Sequence, residues 1–219
     1  MTDGIRDALL LSLLVASVAT VGVALFGGLL GRWLALRRHT GGDIVDALAS
    51  LPLFLPPTVL GYYLTVLVGR QTPIGGFFAG IGIEFMFTWL GAALASGIVA
   101  FPLMIRSSRI AFEGINREIE DSASLDGAGR LARWRYILLP LARSGLAGGI
   151  VLTFARAIGE FGATLMLSGN IPGRTQTMPL AIYEAFTLGD DKTAAVLSAI
   201  LTGVSLVVVF VGLRLGKGG

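Results

Sequence analysis

Four stretches of this chain run without a charged side chain: 8–31, 47–69, 85–105 and 193–213. Each is close to the ~20 residues that a helix needs to cross the hydrocarbon core of a bilayer. A buried helix of a water-soluble domain seldom runs that far uncharged, so each stretch predicts a membrane-spanning helix. A fifth apolar tract lies between Arg143 and Arg174, interrupted by Arg156 and Glu160. Read as one long helix over 137–167, it carries an ion pair inside the membrane. The pattern predicts an all-α integral membrane protein of five spans, about 8–31, 44–69, 84–106, 137–167 and 192–214. One domain over 1–219 is the simplest account, since there is no linker, low-complexity segment or repeat of useful period.

Composition sharpens this picture. Of the 219 residues 54% are apolar and 14% charged, where a soluble domain carries about 25% charged residues. The chain therefore lacks the polar surface that water demands. Its leading residues include Asp3, Arg6 and Asp7, so they lack the positive charge of a secretory signal, and the apolar run behind them is too long for one. With no cysteine, disulfides, thiolate metal sites and cysteine nucleophiles are excluded.

The placement of charge predicts orientation. Arg32, Arg37 and Arg38 follow the first span. Arg106, Arg109, Arg117, Arg130, Arg133 and Arg135 fill the long loop after the third, with Arg143 just beyond it. Arg214 and Lys217 close the tail, so twelve of the 17 Lys and Arg fall on one side. Arg6, Arg70, Arg174 and Lys192 fall on the other. This bias predicts the N-terminus outside and the C-terminus in the cytoplasm. Topology thereby accounts for the net charge of +3, and no nucleic-acid partner is expected.

Local signals subdivide the spans. Gly27 and Gly31, and again Gly145 and Gly149, are small residues at the spacing that lets helix backbones approach closely in lipid. Pro52, Pro56 and Pro57 predict a second span bent or broken near its cytoplasmic end. The Gly-rich stretch 71–83 reads as an external loop or re-entrant turn. Ser168–Met178 reads as an external loop dense in turn formers. Pro179–Leu188, too short to span and carrying Glu184, reads as a short helix on the outer surface.

Three motifs fail on context. Gly127-Ala128-Gly129, continuing to Ala132, resembles a dinucleotide fingerprint but follows a polar helical stretch instead of a strand. Gly212 to Lys217 is one residue short of a P-loop, with Gly218 where the magnesium-binding hydroxyl belongs. His39 is a lone histidine in a basic turn and provides no metal site. No catalytic residue, metal or cofactor is expected in this chain, and any dependence on ATP and its Mg²⁺ must come from a partner.

The most informative stretch is the loop of about 30 residues from Glu113 to Pro140, longer than a connector needs. Glu118, Glu120 and Asp121 fall early in a helix, where its dipole favours them, and Gly127 is placed to break that helix into two arms. Asp121-Ser122-Ala123, then Gly127, then Ile137, Leu139 and Pro140 after nine further residues, resembles the E-A-A-x₃-G-x₉-I-x-L-P signature. That signature marks the permeases of binding-protein-dependent ABC importers, with Asp121 and Ser122 standing where Glu and Ala are usual. The resemblance implies a type I importer permease whose segment 113–136 is a coupling element docking on an ATPase subunit. It carries over Asp121, Ser122, Ala123, Leu125, Gly127, Arg130, Trp134, Ile137, Leu139 and Pro140 as coupling residues.

Further runs are similar to the molybdate branch of that family: 51–57 (LPLFLPP), 100–106 (AFPLMIR), 155–164 (ARAIGEFGAT), 168–179 (SGNIPGRTQTMP) and Ile182-Tyr183. Sulfate and tungstate permeases share the acidic residue and the Gly-Asn turn, while the context of Phe161 and the run 170–173 favour molybdate. The implied translocation path or gate comprises Arg156, Glu160, Phe161, Asn170 and Thr175. Intramembrane charges are expensive and usually face the bundle interior. Arg156 offers positive potential to an oxyanion, but Glu160 opposes it, so the pair reads first as structural or gating. The implied assembly is a homodimer in the cell membrane with two cytoplasmic ATPase subunits and an external oxyanion-binding protein. A secondary transporter or channel would need more ionisable groups at mid-membrane and leaves the coupling segment without purpose. A membrane scaffold would carry no solute.

Overall fold

The computed structural model of the protein describes residues 2–36 and 40–216. The sequence readings for Arg37, Arg38, His39, Lys217 and Gly218 lie outside the described residues. Within them all regular structure is helical. Four helices are long and apolar enough to cross a membrane: α1 (Thr2–Leu36), α5 (Trp89–Glu113), α8 (Leu139–Ile158, with the turns before it) and α11 (Asp191–Gly216). A fifth apolar segment of that length is a bent pair of helices. Helix α2 (Thr40–Ser50) runs through a 3₁₀ turn, Leu51–Leu53, into α3 (Pro57–Val68), with a bend of 111°. The break falls at the predicted prolines, because Pro56 and Pro57 remove successive backbone donors and Pro57 restarts a helix at its first turn.

Helix α5 is the keel. Its flanks receive the two predicted small-residue stripes, α1 on one side and α8 on the other. A Cβ at Gly31 would stand 2.6 Å from the Ile105 carbonyl and from Ser108 Cβ, and one at Gly145 would stand 2.6 Å from Ala111 Cβ. Neither position tolerates a side chain without moving backbone. Where α1 and α5 meet, the Ser108 hydroxyl donates to the Gly28 carbonyl at 2.7 Å in a fully buried contact. Such interhelical bonds contribute about 0.6 kcal/mol in lipid. Close packing of backbones therefore contributes most of the fit, and α1, α5 and α8 form the interlocked centre.

Two segments differ from expectation. The stretch 71–83 contains a helix, α4 (Pro73–Gly80). Thr72 starts it by accepting from Gly75 N–H at 3.0 Å, and Pro73 occupies the first turn, where its missing donor costs nothing. The expected continuous helix over 137–167 is two helices. Helix α8 ends at Ile158, and α9 (Gly162–Ser168) begins after a non-helical break. The next segment has the order expected from the sequence: the loop 169–177 is followed by α10 (Met178–Thr187). Ser12 of α1 anchors it by accepting from Met178 N–H at 2.7 Å.

Helix α11 begins at an exposed acidic cap. Asp190 accepts from the Thr193 N–H at 3.1 Å. Hydrogen bonds from the Thr193 hydroxyl and then its backbone hold the Asp190 carboxyl below the usual aspartate range.

Candidate functional site

The two predicted sites sit in different environments. At one end, α5 stops at Glu113 and the chain turns into α6 (Arg117–Leu125), capped by Asn116, whose side chain accepts from Glu118 N–H at 3.0 Å. Asp121, Ser122, Ala123 and Leu125 lie on α6. Gly127 ends the arm with φ of +85°, the left-handed region that a glycine enters without strain. Helix α7 (Arg130–Arg133) forms the second arm, so the predicted division into two arms is present. Trp134 and Ile137 lie in a π turn, Trp134–Leu138, in which Leu139 N–H donates to the Trp134 carbonyl. Pro140 accounts for that turn. It cannot donate to the residue-136 carbonyl and its ring crowds it, so the backbone there widens before α8 continues.

Helix α6 has no buried residue. Leu125 is 88% exposed and Leu131 79%. Both lie on the segment between α5 and α8, left uncovered by the other described residues. Behind that surface, Arg32 of α1 forms an ion pair with Glu120 at 3.1 Å and lies over the Phe112 ring, 5.2 Å from its centroid. Phe112 stacks on Trp134 with centroids 5.5 Å apart. Beside this cluster Arg109 bridges Asp46 of α2 at 2.7 Å and Glu113 at 2.9 Å.

The second region is centred on the break between α8 and α9. Arg156 Nη2 meets Glu160 Oε2 at 2.8 Å, with the arginine side chain 34% exposed and the glutamate 1%. The sequence places both on one helix face. The structure puts Glu160 beyond the end of α8, where its Oε1 accepts from Ala163 N–H at 2.8 Å. It therefore caps α9 while pairing with Arg156. Gly159 and Gly162 flank this turn, and a Cβ at Gly162 would stand 3.2 Å from Pro57 Cβ and from Thr58 Cγ2 of α3. The short helices α3 and α9 pack closely: a Cβ at Gly61 would meet Met166 Cβ at 2.7 Å. Thr65 Oγ1 donates to the Met166 carbonyl at 3.2 Å.

Phe161 packs against Tyr183 of α10, ring centroids 5.1 Å apart. The next residue, Glu184, accepts from Asn170 Nδ2 at 2.7 Å and from Gln176 Nε2. Thr175 is fully buried and accepts from Ile171 N–H at 3.0 Å. Helix α10 thus connects the break at Phe161 with the loop carrying Asn170 and Thr175. The structure brings all five predicted pathway residues into one linked region. Tyr183 and Glu184 do the linking, and the sequence reading assigned neither to the site. A lone carboxylate in the apolar run 178–187 was the available signal. Arg32 carried no comparable signal, since its partner is 88 residues away.

Among the described residues no group of three or more His, Asp and Glu could hold a metal ion.

Comparison with known proteins gives the family. Residues 27–215 match the family described as binding-protein-dependent transport system inner membrane component. The molybdenum transport system permease protein ModB of Escherichia coli (strain K12) is 42% identical over 214 residues, 95% of this chain and 93% of that protein. The putative molybdenum transport system permease protein YvgM of Bacillus subtilis (strain 168) is 41% identical over 201 residues, 91% and 88% of the two chains. The sulfate transport system permease protein CysT of Salmonella typhimurium is 34% identical over 200 residues, 91% of this chain and 72% of that one. Among solved structures, inward-facing MetNI methionine ABC transporter matches with a TM-score of 0.75 at 16% identity, covering 99% of this chain and 94% of that chain. A bacterial alginate ABC transporter matches with a TM-score of 0.74 at 18% identity, covering 98% and 80%.

Proposed function

The chain belongs to the binding-protein-dependent transport system inner membrane components, multi-pass proteins of the plasma membrane, and we propose that within that family it is the permease subunit of an ATP-driven molybdate importer. The observation that carries the substrate is the identity of 41–42% to two molybdenum permeases over nine-tenths of the chain or more. The sulfate permease stands at 34%. Tungstate, whose oxyanion has the same charge and shape, belongs to the same reading.

Two copies of the chain enclose one pathway and bind two ATPase subunits, and an external binding protein delivers the oxyanion. The exposed Leu125 and Leu131 meet the ATPase subunit, which puts α6 and α7 in the cytoplasm, the C-terminus on the same side and the N-terminus outside. ATP binds and is hydrolysed in the partner, with its Mg²⁺, and this chain supplies no nucleotide site. Closure of the ATPase pair reaches the spans as a rigid-body motion through the coupling segment.

In the pathway, Arg156 and Glu160 have unequal roles. Glu160 is sequestered, with one oxygen on Arg156 and the other on the α9 N-terminus. The part-exposed guanidinium has further donors to offer, so its positive field reaches a passing oxyanion while its counter-charge is held back. Phe161, Asn170 and Thr175 shape the gate around it. The attraction is partial, as a pathway that must also release its substrate requires.

The test is ATP hydrolysis by the complex reconstituted with its ATPase subunit and binding protein. Molybdate and tungstate should stimulate it and sulfate should not. Gly127→Trp, forcing a bulky side chain onto a left-handed backbone, should abolish the stimulation. Stimulation by sulfate alone would overturn the substrate; failure to retain an ATPase subunit would overturn the importer reading.

A further inference from the structure

Helix α6 is a coupling element with little to hold it in place. None of its residues is buried, and its far end is Gly127, in a left-handed conformation with open space where a side chain would be. Its near end leaves α5 through Gly114 and the turn to Asn116. Between α6 and the end of α1 lies a cavity of about 750 Å³, lined by Arg32, Phe112, Asn116, Arg117 and Asp121 among others. Packing therefore does not transmit a push on α6 to the membrane helices.

Across that cavity Arg32 reaches from α1 to both carboxylate oxygens of Glu120, at 3.1 and 3.4 Å. Its guanidinium also lies over Phe112, which belongs to a buried cluster with Ala35, Leu138 and Ala142 and stacks on Trp134 at the start of the π turn. The first arm, α6, thus reaches α1 through Glu120 and Arg32, while the turn after α7 meets the same region by packing of Trp134 on Phe112. The residue before it, Gly31, is locked against Ile105 and Ser108 of α5. A force arriving at Arg32 is delivered to α1 and α5 together.

We propose that Arg32 is the strut of this permease, a positioning residue that converts displacement of the coupling segment into movement of α1 and α5. This rests on the permease reading above, and it adds that an arginine on the first span, outside the coupling segment, sets how much transport each ATP yields. The geometry suits arginine. Its Nη2 donates to both Glu120 oxygens while the planar guanidinium lies over the Phe112 ring, a planar face that a lysine ammonium lacks.

The experiment compares wild type, Arg32→Gln, Glu120→Gln and the charge reversal Arg32→Glu with Glu120→Arg. Complexes with the ATPase subunit and binding protein are placed in proteoliposomes, and molybdate uptake and ATP hydrolysis are measured together. Both neutral variants should retain the ATPase subunit and continue to hydrolyse ATP. Uptake per ATP should fall about tenfold, within the roughly 5- to 150-fold that coupling between sites ordinarily spans. The reversal should recover most of it. Unchanged uptake per ATP in both neutral variants, or a reversal no better than they are, overturns the proposal.

A second measurement does not depend on the substrate. In the full-length chain in detergent, amide exchange over 117–125 should accelerate in Arg32→Gln, return toward wild type in the reversal, and leave 15–28 and 92–108 protected. Exchange over 117–125 unchanged by Arg32→Gln overturns the strut. Wild type that takes up no molybdate while Arg32→Gln loosens 117–125 overturns the substrate reading and supports the strut.

Discussion

Two of the places where the chain interrupts its helices at glycine stand under opposite conditions. At Gly127 the interruption faces outward. The neighbouring arms are exposed and apolar side chains project from them; Arg32 ties the first arm to α1, and Trp134 packs the end of the second on Phe112. Between Gly159 and Gly162 the carboxylate of Glu160 is buried, and polar groups around it find partners within the chain, Glu160 on Arg156 and Ala163, the Asn170 amide nitrogen on Glu184, Thr175 on Ile171, while Asn170 Oδ1 and Ser168 Oγ are buried without one. At the first break Gly127 and Ala128 N–H donate to the Ser124 and Ala123 carbonyls in an exposed segment. At the second, water is scarce, and a broken helix persists in a membrane only where protein re-satisfies its backbone. The difference separates a surface built to be gripped from a joint built to stay together.

The largest effect should come from removing the carboxylate of the enclosed joint. Glu160→Leu leaves Arg156 and the Ala163 N–H without their partner. Stripping one member from a buried pair costs about 3–5 kcal/mol, enough to unfold a marginally stable protein. The variant should fail to accumulate in the membrane or lose its thermal transition in detergent. Arg156→Gln with Glu160→Gln separates charge from capping. It removes both charges while the residue-160 carbonyl oxygen still accepts from Ala163, so it should assemble with a loss of about 1 kcal/mol and transport oxyanion more slowly. Assembly lost in this double variant would show that the ion pair itself holds the joint together.

The same contrast explains what could be read from the chain. The outer break was legible because its cause is local: Gly127 ends a polar helix, and the spacing from Ala123 to Pro140 fixes the surrounding pattern. The spans were legible as uncharged runs, and the bend in the second span as prolines at 52, 56 and 57. The enclosed break was missed because hydropathy continues through it, and nothing apolar marks the change of direction between Ile158 and Gly162. Its local signs were two glycines and one acid three residues before a free N–H. An Arg–Glu spacing of four, which also fits an unbroken helix, masked them. Glu184 and Arg32 were beyond local reading, because their roles depend on partners brought up by the fold.

At the outer break the consequences should be functional and leave the fold intact. Leu125→Asp with Leu131→Asp changes two exposed side chains, so the chain's own stability should shift by less than about 0.5 kcal/mol. Retention of the ATPase subunit during purification should fall at least tenfold, the loss of an apolar anchor worth about 2 kcal/mol or more. Unaltered retention would move the docking surface elsewhere. Glu184→Ala returns to the enclosed region with a smaller effect. It strands the Asn170 and Gln176 amides at about 1–3 kcal/mol and frees the loop that carries exposed Arg174. Trypsin should cut after Arg174 about tenfold faster, since cleavage follows the population of the opened loop. A rate equal to wild type would mean that the loop is held by Thr175 and its neighbours without Glu184.

The smallest effect sharpens the comparison most finely, because it repeats the Glu160 geometry in water. Asp190 caps α11 as Glu160 caps α9: each carboxylate accepts from the N–H three residues on, at 3.1 and 2.8 Å. Glu160 is enclosed and Asp190 is exposed. Thr193 holds the Asp190 carboxyl below the usual aspartate range, so its ionised form is the one the folded state favours. A depressed value contributes stability that is present above the unfolded pKa of about 3.9 and lost as pH falls through the lower folded value. Asp190→Asn should therefore speed amide exchange in the first turn of α11 at pH 7, measured as protection factors. The difference from wild type should shrink as pH drops below about 4, where the wild-type carboxyl begins to take up its proton. Global stability should be unchanged at either pH, because water replaces the lost acceptor at this exposed end. A loss of global stability approaching that of Glu160→Leu would mean that burial is not what separates the two caps.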